Sequence, residues 1–159
     1  MGSGGAAWWP PGWCAAHGWH AGAVTSSDKV RLIRSEDLAA TAPYAYAAVT
    51  AAAARLVVTA GACPLDSSGV IVTVGDIAGQ AEQVMVNLRT ALRAAGADLG
   101  DVVKTTVYVA TQSREDLLAA WEVVRRHFGE HDAPSTLLGV GVLGYRDQLV
   151  EVEAIAALS

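Results

Sequence analysis

The sequence predicts a single α+β domain, a mixed β-sheet with two helices on one face and another copy of the chain against the other. Three observations predict it. Near the C-terminus Val150, Val152, Ala154 and Ala156 share one side while Glu151, Glu153 and Ile155 share the other, the two-residue period of a strand. Only two segments carry a clear helical stripe, and two helices can cover only one face of a sheet. The 159 residues are 52% hydrophobic and 17% charged with a mean hydropathy of +0.31, more apolar surface than one small domain can hide. That surplus, set beside an uncovered sheet face, predicts a homo-oligomer.

Residues 1–29 stand apart from the domain, which spans residues 30–159. Four of the five tryptophans fall in the first 23 residues, Trp8, Trp9, Trp13 and Trp19, among glycines and Pro10-Pro11. There is no basic start and no continuous apolar core, so the segment is not a secretory signal. Cys14, His17 and His20 have spacings that a metal could use, but three ligands without a second pair do not define a site. The segment reads as a surface leader, or as sequence upstream of a start nearer Val24.

Within the domain, Val30-Arg31-Leu32-Ile33-Arg34 is a short strand, and Ser35, Glu36 and Asp37 suit one helical turn. Pro43-Tyr44 opens a hairpin running out to Thr50 and returning through the β-branched stretch Arg55 to Gly61. Pro64, Asp66, Ser67 and Ser68 mark a loop, after which Val70 to Val74 is extended. Ile77, Ala81, Val84, Leu88, Leu92 and Ala95 recur at helical spacing, with Gly96 as a left-handed stop and Gln80, Gln83, Asn87, Arg89 and Arg93 on the wet side. Val102 to Val109 is the strongest strand. Ser113 with Glu115 and Asp116 starts a second helix, whose apolar face is Leu117, Trp121, Val124 and Phe128, and Gly129 ends it. His127 and His131 are separated by that break and read as surface histidines. A C-terminal hairpin follows, Leu137 to Leu143 returning as Leu149 to Ala156. Its Glu151 and Glu153 share a face with Ile155, so either that face is wet or one carboxylate lines a pocket.

Composition excludes several function classes. A net charge of -5 and a pI near 5.2, with no Lys/Arg stripe, argue against a nucleic-acid partner. The most apolar run, Ala45 to Ala62, is largely alanine and contains Thr50, Arg55 and Thr59, too weak to enter a membrane. Two cysteines, Cys14 and Cys63, make no disulfide framework and point to a reducing cytoplasm.

Gly79-Gln80 with Asn87-Leu88, Ala95-Gly96, Asp101 to Val109, Phe128, Pro134-Ser135-Thr136 and Val150 to Ala156 together resemble the Rid family, also called YjgF or L-PSP proteins. The resemblance covers roughly Pro43 to Ala157. It implies a chorismate-mutase-like fold assembled as a homotrimer, hydrolysis of reactive imines and enamines to a keto acid and ammonia, no metal or other cofactor, and a small-molecule site in clefts between subunits. Carried over by position, the acid that places the water is Glu151, and Tyr44 and Gly61 border the substrate. Cys63, in Gly61-Ala62-Cys63-Pro64, lies beside the same cleft without a histidine motif to activate it.

One departure bears on the substrate. Where deaminating members carry an arginine that grips the substrate carboxylate, alignment on Leu138-Gly139-Val140 places Ser135. A hydroxyl cannot replace a planar, permanently charged two-donor clamp. The resemblance with that departure implies a Rid-like imine or enamine hydrolase, catalytic through Glu151, that does not act on ordinary 2-imino acids. The alternative is a non-catalytic trimer that binds a metabolite. An RNA-directed activity fits the acidic chain least.

Overall fold

The computed structural model describes residues 30–34, 37–38 and 44–158. The leader tryptophans, Cys14, His17, His20, Ser35 and Glu36 lie outside the described residues. The elements are β1 (Val30–Ile33), β2 (Ala47–Thr50), β3 (Arg55–Val58), α1 (Ile77–Ala94), a 3-10 turn (Leu99–Asp101), β4 (Val102–Ala110), α2 (Arg114–Phe128), β5 (Ser135–Val140) and β6 (Val150–Leu158).

Both helices form where their capping chemistry places them. Asp76 accepts the Gly79 amide at 3.0 Å to open α1, and Gly96, at φ +82°, takes the left-handed turn beyond its end that a side chain would resist. The Ser113 hydroxyl accepts the Asp116 amide to open α2, whose first turn carries Glu115 and Asp116. Asp98 and Asp101 cap the 3-10 turn reciprocally, and Asp98 also binds Arg89 and Arg93.

The main sheet has the order β3-β6-β4-β5. The helix after β4 returns the chain parallel to it, so β5 takes one edge of β4, while β6 runs antiparallel along the other edge and pairs with β3 beyond. This overturns the expected C-terminal hairpin: β5 and β6 are separated by β4, which pairs with one of them along each of its two edges. The expected pairing of residues 44–50 with 55–61 fails as well. β2 pairs with β1 in a separate two-stranded sheet, and β3 pairs with β6. Residues 70–74 contribute only an isolated bridge between Leu65 and Ile71.

The alternation of β6 is borne out. Val150, Val152, Ala154 and Ala156 are buried with Val102, Val107 and Val109 of β4 beneath Val84, Met85, Leu88 and Leu92 of α1 and Ala120, Val123 and Val124 of α2. Both helices therefore lie on one face. The other face exposes Leu56, Val58, Leu138 and Ile155 around Lys104, Tyr108, Glu151 and Glu153. Among the described residues no helix is long and apolar enough to cross a membrane.

Candidate functional site

Glu151 sits on the open face near the start of β6, and its surroundings come from three distant stretches. The segment after β3 bridges back to β6, with Ala62 and Val152 exchanging backbone hydrogen bonds, and this brings Gly61 under the Glu151 side chain. The fit requires a glycine. A Cβ at position 61 would stand 1.9 Å from Glu151 Oε1 and 2.8 Å from its Cγ. The other carboxylate oxygen, Oε2, accepts from the Gln148 amide at 2.9 Å and has the Cys63 thiol 3.7 Å away. Thus one oxygen is tied and the other lies over bare backbone.

Burial and the nearby Glu151 carboxylate together push the Cys63 thiol above its ordinary range, partly offset by the Gln148 amide. Cys63 is accordingly a protonated thiol at neutral pH and a weak nucleophile there.

The loops around this cluster are held by α1. Gln80 donates to the Asp147 carbonyl at 2.9 Å and accepts the Leu149 amide at 2.7 Å. Asn87 donates to the carbonyls of Cys63 and Leu65 at 2.8 and 2.9 Å. The expectation that Gln80 and Asn87 face water is therefore corrected: Gln80 is completely buried, and both amides satisfy loop backbone that no strand ladder reaches. A cleft of about 450 Å³ runs from Val57 along Gly61 and Cys63 to Asn87, Ala91 and Tyr145.

Tyr44 and Ser135 form a second group. They line a cleft of about 510 Å³ at the free edge of β5 with Trp121, Thr136 and Leu137. The hairpin of β1 and β2 is held there by Arg34 pairing with Asp132 and by the Ala45 amide donating to the Asp132 carbonyl. Ser135 itself is turned to the helix side. Its hydroxyl pairs with that of buried Thr105 at 2.7 Å and donates to the Ala133 carbonyl at 2.9 Å. The β5 residues that share a face with Glu151 are Thr136 and Leu138, through the pairings Thr106 with Thr136 and Tyr108 with both Leu138 and Glu151.

The structure therefore brings Glu151, Gly61 and Cys63 together and sets Tyr44 and Ser135 apart from them. Three residues along and two strands over separate Ser135 from Glu151, roughly 14 Å at ordinary sheet spacings. Gln148 was not singled out from sequence, since a glutamine in a loop carries no pattern of its own. Trp121 packs against the core and also walls the Tyr44 cleft.

Elsewhere on the open face Tyr108 donates to Glu153 at 2.9 Å, which raises the phenol's pKa, and Lys104 meets the Thr136 hydroxyl at 2.5 Å. Burial lowers the Lys104 pKa, and Glu153 opposes that shift. His127 contacts Glu82, His131 contacts the Val102 carbonyl, and no group of metal ligands is present among the described residues.

Known proteins are similar to this chain in sequence and architecture. A family model described as endoribonuclease L-PSP matches residues 34–158. A RutC family protein of Pyrococcus horikoshii is 38% identical over 97 residues, 61% of this chain and 75% of that protein. A 2-iminobutanoate/2-iminopropanoate deaminase of Salmonella typhimurium is 33% identical over 105 residues, 64% of this chain and 78% of that protein. Among solved structures, a protein of the conserved Rid family from Yersinia pestis superposes with a TM-score of 0.74 at 30% identity, covering 82% of this chain and 99% of that one. With two helices on one face of a mixed sheet and these matches along nearly the whole domain, the chain belongs to the Rid family, known also as YjgF or L-PSP.

Proposed function

We propose that this protein is a Rid-type hydrolase of an imine, enamine or related C–N bond, with Glu151 as the residue that acts on water and a site completed by a neighbouring copy in a homotrimer. The observation that carries the reading is the Glu151 carboxylate, one oxygen tied by Gln148 and the other free over Gly61. A carboxylate so held takes a proton from water as the water oxygen bonds to the imine carbon and the C=N electron pair moves to nitrogen. Returning that proton to the nitrogen gives a carbinolamine, and passing the hydroxyl proton to the same nitrogen lets ammonia leave as the C–N bond breaks and the carbonyl forms. Water is the only co-reactant.

Two features of one chain support a shared site. The Glu151 and Tyr44 groups lie too far apart to touch one small substrate, and the open face leaves Leu56, Val58, Leu138 and Ile155 exposed. Joining copies through that face covers the apolar residues and sets one chain's half-site against another's. The substrate reading follows from the clefts. Among the described residues, no arginine lines the cleft beside Gly61 or the one beside Tyr44. A 2-imino acid offers little besides its carboxylate to hold, so without the clamp it loses orientation as well as affinity.

The test is turnover of 2-iminobutanoate generated in situ by an amino-acid oxidase. Slow hydrolysis is expected, abolished by Glu151→Gln because an amide cannot serve as base. Thr136→Arg, which places a guanidinium on the face of Glu151, raises the rate, whereas Ser135→Arg, directed toward Thr105 and the helices, does not. Hydrolysis by the unmodified protein as fast as that of an arginine-bearing relative would refute the substrate reading, and full activity in Glu151→Gln would refute the chemistry.

A further inference from the structure

We infer that Gln148 is a positioning residue for Glu151, holding one carboxylate oxygen so that the other is the one presented to water. The inference rests on the reading of Glu151 as the group that acts on water, and it adds a residue outside the motifs that carry the family resemblance.

Gln148 is 4% exposed, in a loop whose neighbours Tyr145, Arg146 and Asp147 are all exposed. A buried amide in such a loop is costly unless every donor and acceptor is used. Here they are used. The side-chain nitrogen faces Glu151 Oε2 at 2.9 Å, the Val150 carbonyl at 3.2 Å and Cys63 Sγ at 3.3 Å, while the side-chain oxygen accepts the Tyr145 amide at 3.0 Å. The orientation of the amide is fixed by these partners. Reversed, its oxygen would oppose a carboxylate and a carbonyl, and its nitrogen would oppose an N–H.

The loop cannot drift, because Gln80 grips it on both sides of Gln148, at the Asp147 carbonyl and the Leu149 amide. Position therefore passes from buried α1 through Gln80 to the loop, then through Gln148 to Glu151 Oε2. Gly61 leaves Oε1 no side chain to rest on.

The test uses the full-length protein labelled with 13C at glutamate carboxyl groups, with the Glu151 resonance at neutral pH assigned by its loss in Glu151→Gln. Gln148→Met removes the donor while keeping length and burial. Its loss frees the carboxylate from one fixed rotamer, so the Glu151 resonance is expected to shift and broaden. The kcat for 2-iminobutanoate should fall about tenfold or more, the size of one charged hydrogen bond, while KM changes little. Gln148→Glu, which sets a second carboxyl group against the first, should displace the resonance and lower kcat further. A residue that merely fills space would lower thermal stability without moving the resonance. An unmoved resonance in both variants overturns the inference whatever happens to turnover. Full turnover in Glu151→Gln would instead overturn the catalytic reading of Glu151, and the role of Gln148 in catalysis with it, even where the resonance moves.

Discussion

Replacing Gly61 by alanine should disable Glu151 more than it destabilises the fold. The added Cβ would stand 1.9 Å from Glu151 Oε1, 2.6 Å from Cδ and 2.8 Å from Cγ. Rotating the carboxylate alone about the Cγ–Cδ bond moves only its oxygens and leaves the contacts to Cδ and Cγ, so the whole side chain must change rotamer and abandon the Gln148 amide. Overpacking of this kind costs typically about 1–3 kcal/mol. At this chain length each kcal/mol lowers the melting midpoint by roughly 2–4 °C, giving an expected fall of about 2–12 °C. Hydrolytic activity should fall far more, because the displaced carboxylate no longer meets the water that attacks the substrate carbon. The assay is thermal unfolding with turnover on the same preparations, repeated in a Glu151→Ala background. If the contact is the cause, Gly61→Ala should cost little once Glu151 is gone, a coupling that the double-mutant cycle isolates. Gly100→Ala, where a Cβ meets nothing within 4 Å, is the control. Unchanged melting and turnover in Gly61→Ala, or the same stability loss with and without Glu151, would refute the reasoning.

Three further outcomes are expected. Light scattering at micromolar concentration should give a trimer, and a well-behaved monomer would remove both the apolar interface and the shared site. Deleting residues 1–23 should leave assembly intact and lower the melting midpoint by less than about 8 °C, roughly the 2 kcal/mol that packed tryptophans would contribute. Hydrogen bonds from Arg89 hold the Asp98 carboxyl down at about 2, so its stabilisation is present above the unfolded value near 4 and is lost as pH falls toward 2. The Asp98 side chain is 39% exposed, and solvent screening limits the effect to about 1 kcal/mol or less. Asp98→Asn, which keeps the cap oxygen, should flatten acid unfolding between pH 4 and 2.

What the sequence determined by itself is what depends on near neighbours along the chain. Alternation over β6, the stripe of α1, the Ser113 cap and the stops after both helices are all local, set by strand and helix periods and by the conformational freedom of glycine. The two helices on one face followed from counting those elements, and the family from the order and spacing of its motifs. Partner choice was decided only in three dimensions. Nothing local tells β6 to pair with β4 and β3 rather than β5, because every strand edge offers the same backbone groups. The polar residues show the same limit. Gln80 and Asn87 lie where a helical wheel assigns water, yet they are drawn inward by loop carbonyls and amides that only the folded chain brings near. Ser135 could be aligned on a motif, but its face is fixed by pairing with Thr105, and a shift of one residue exchanges the helix side for the open side. Glu151 was legible as an acid in an unusual place. That Gly61 makes room for it and Gln148 holds it depends on contacts between segments distant in the chain, which only the packed structure supplies.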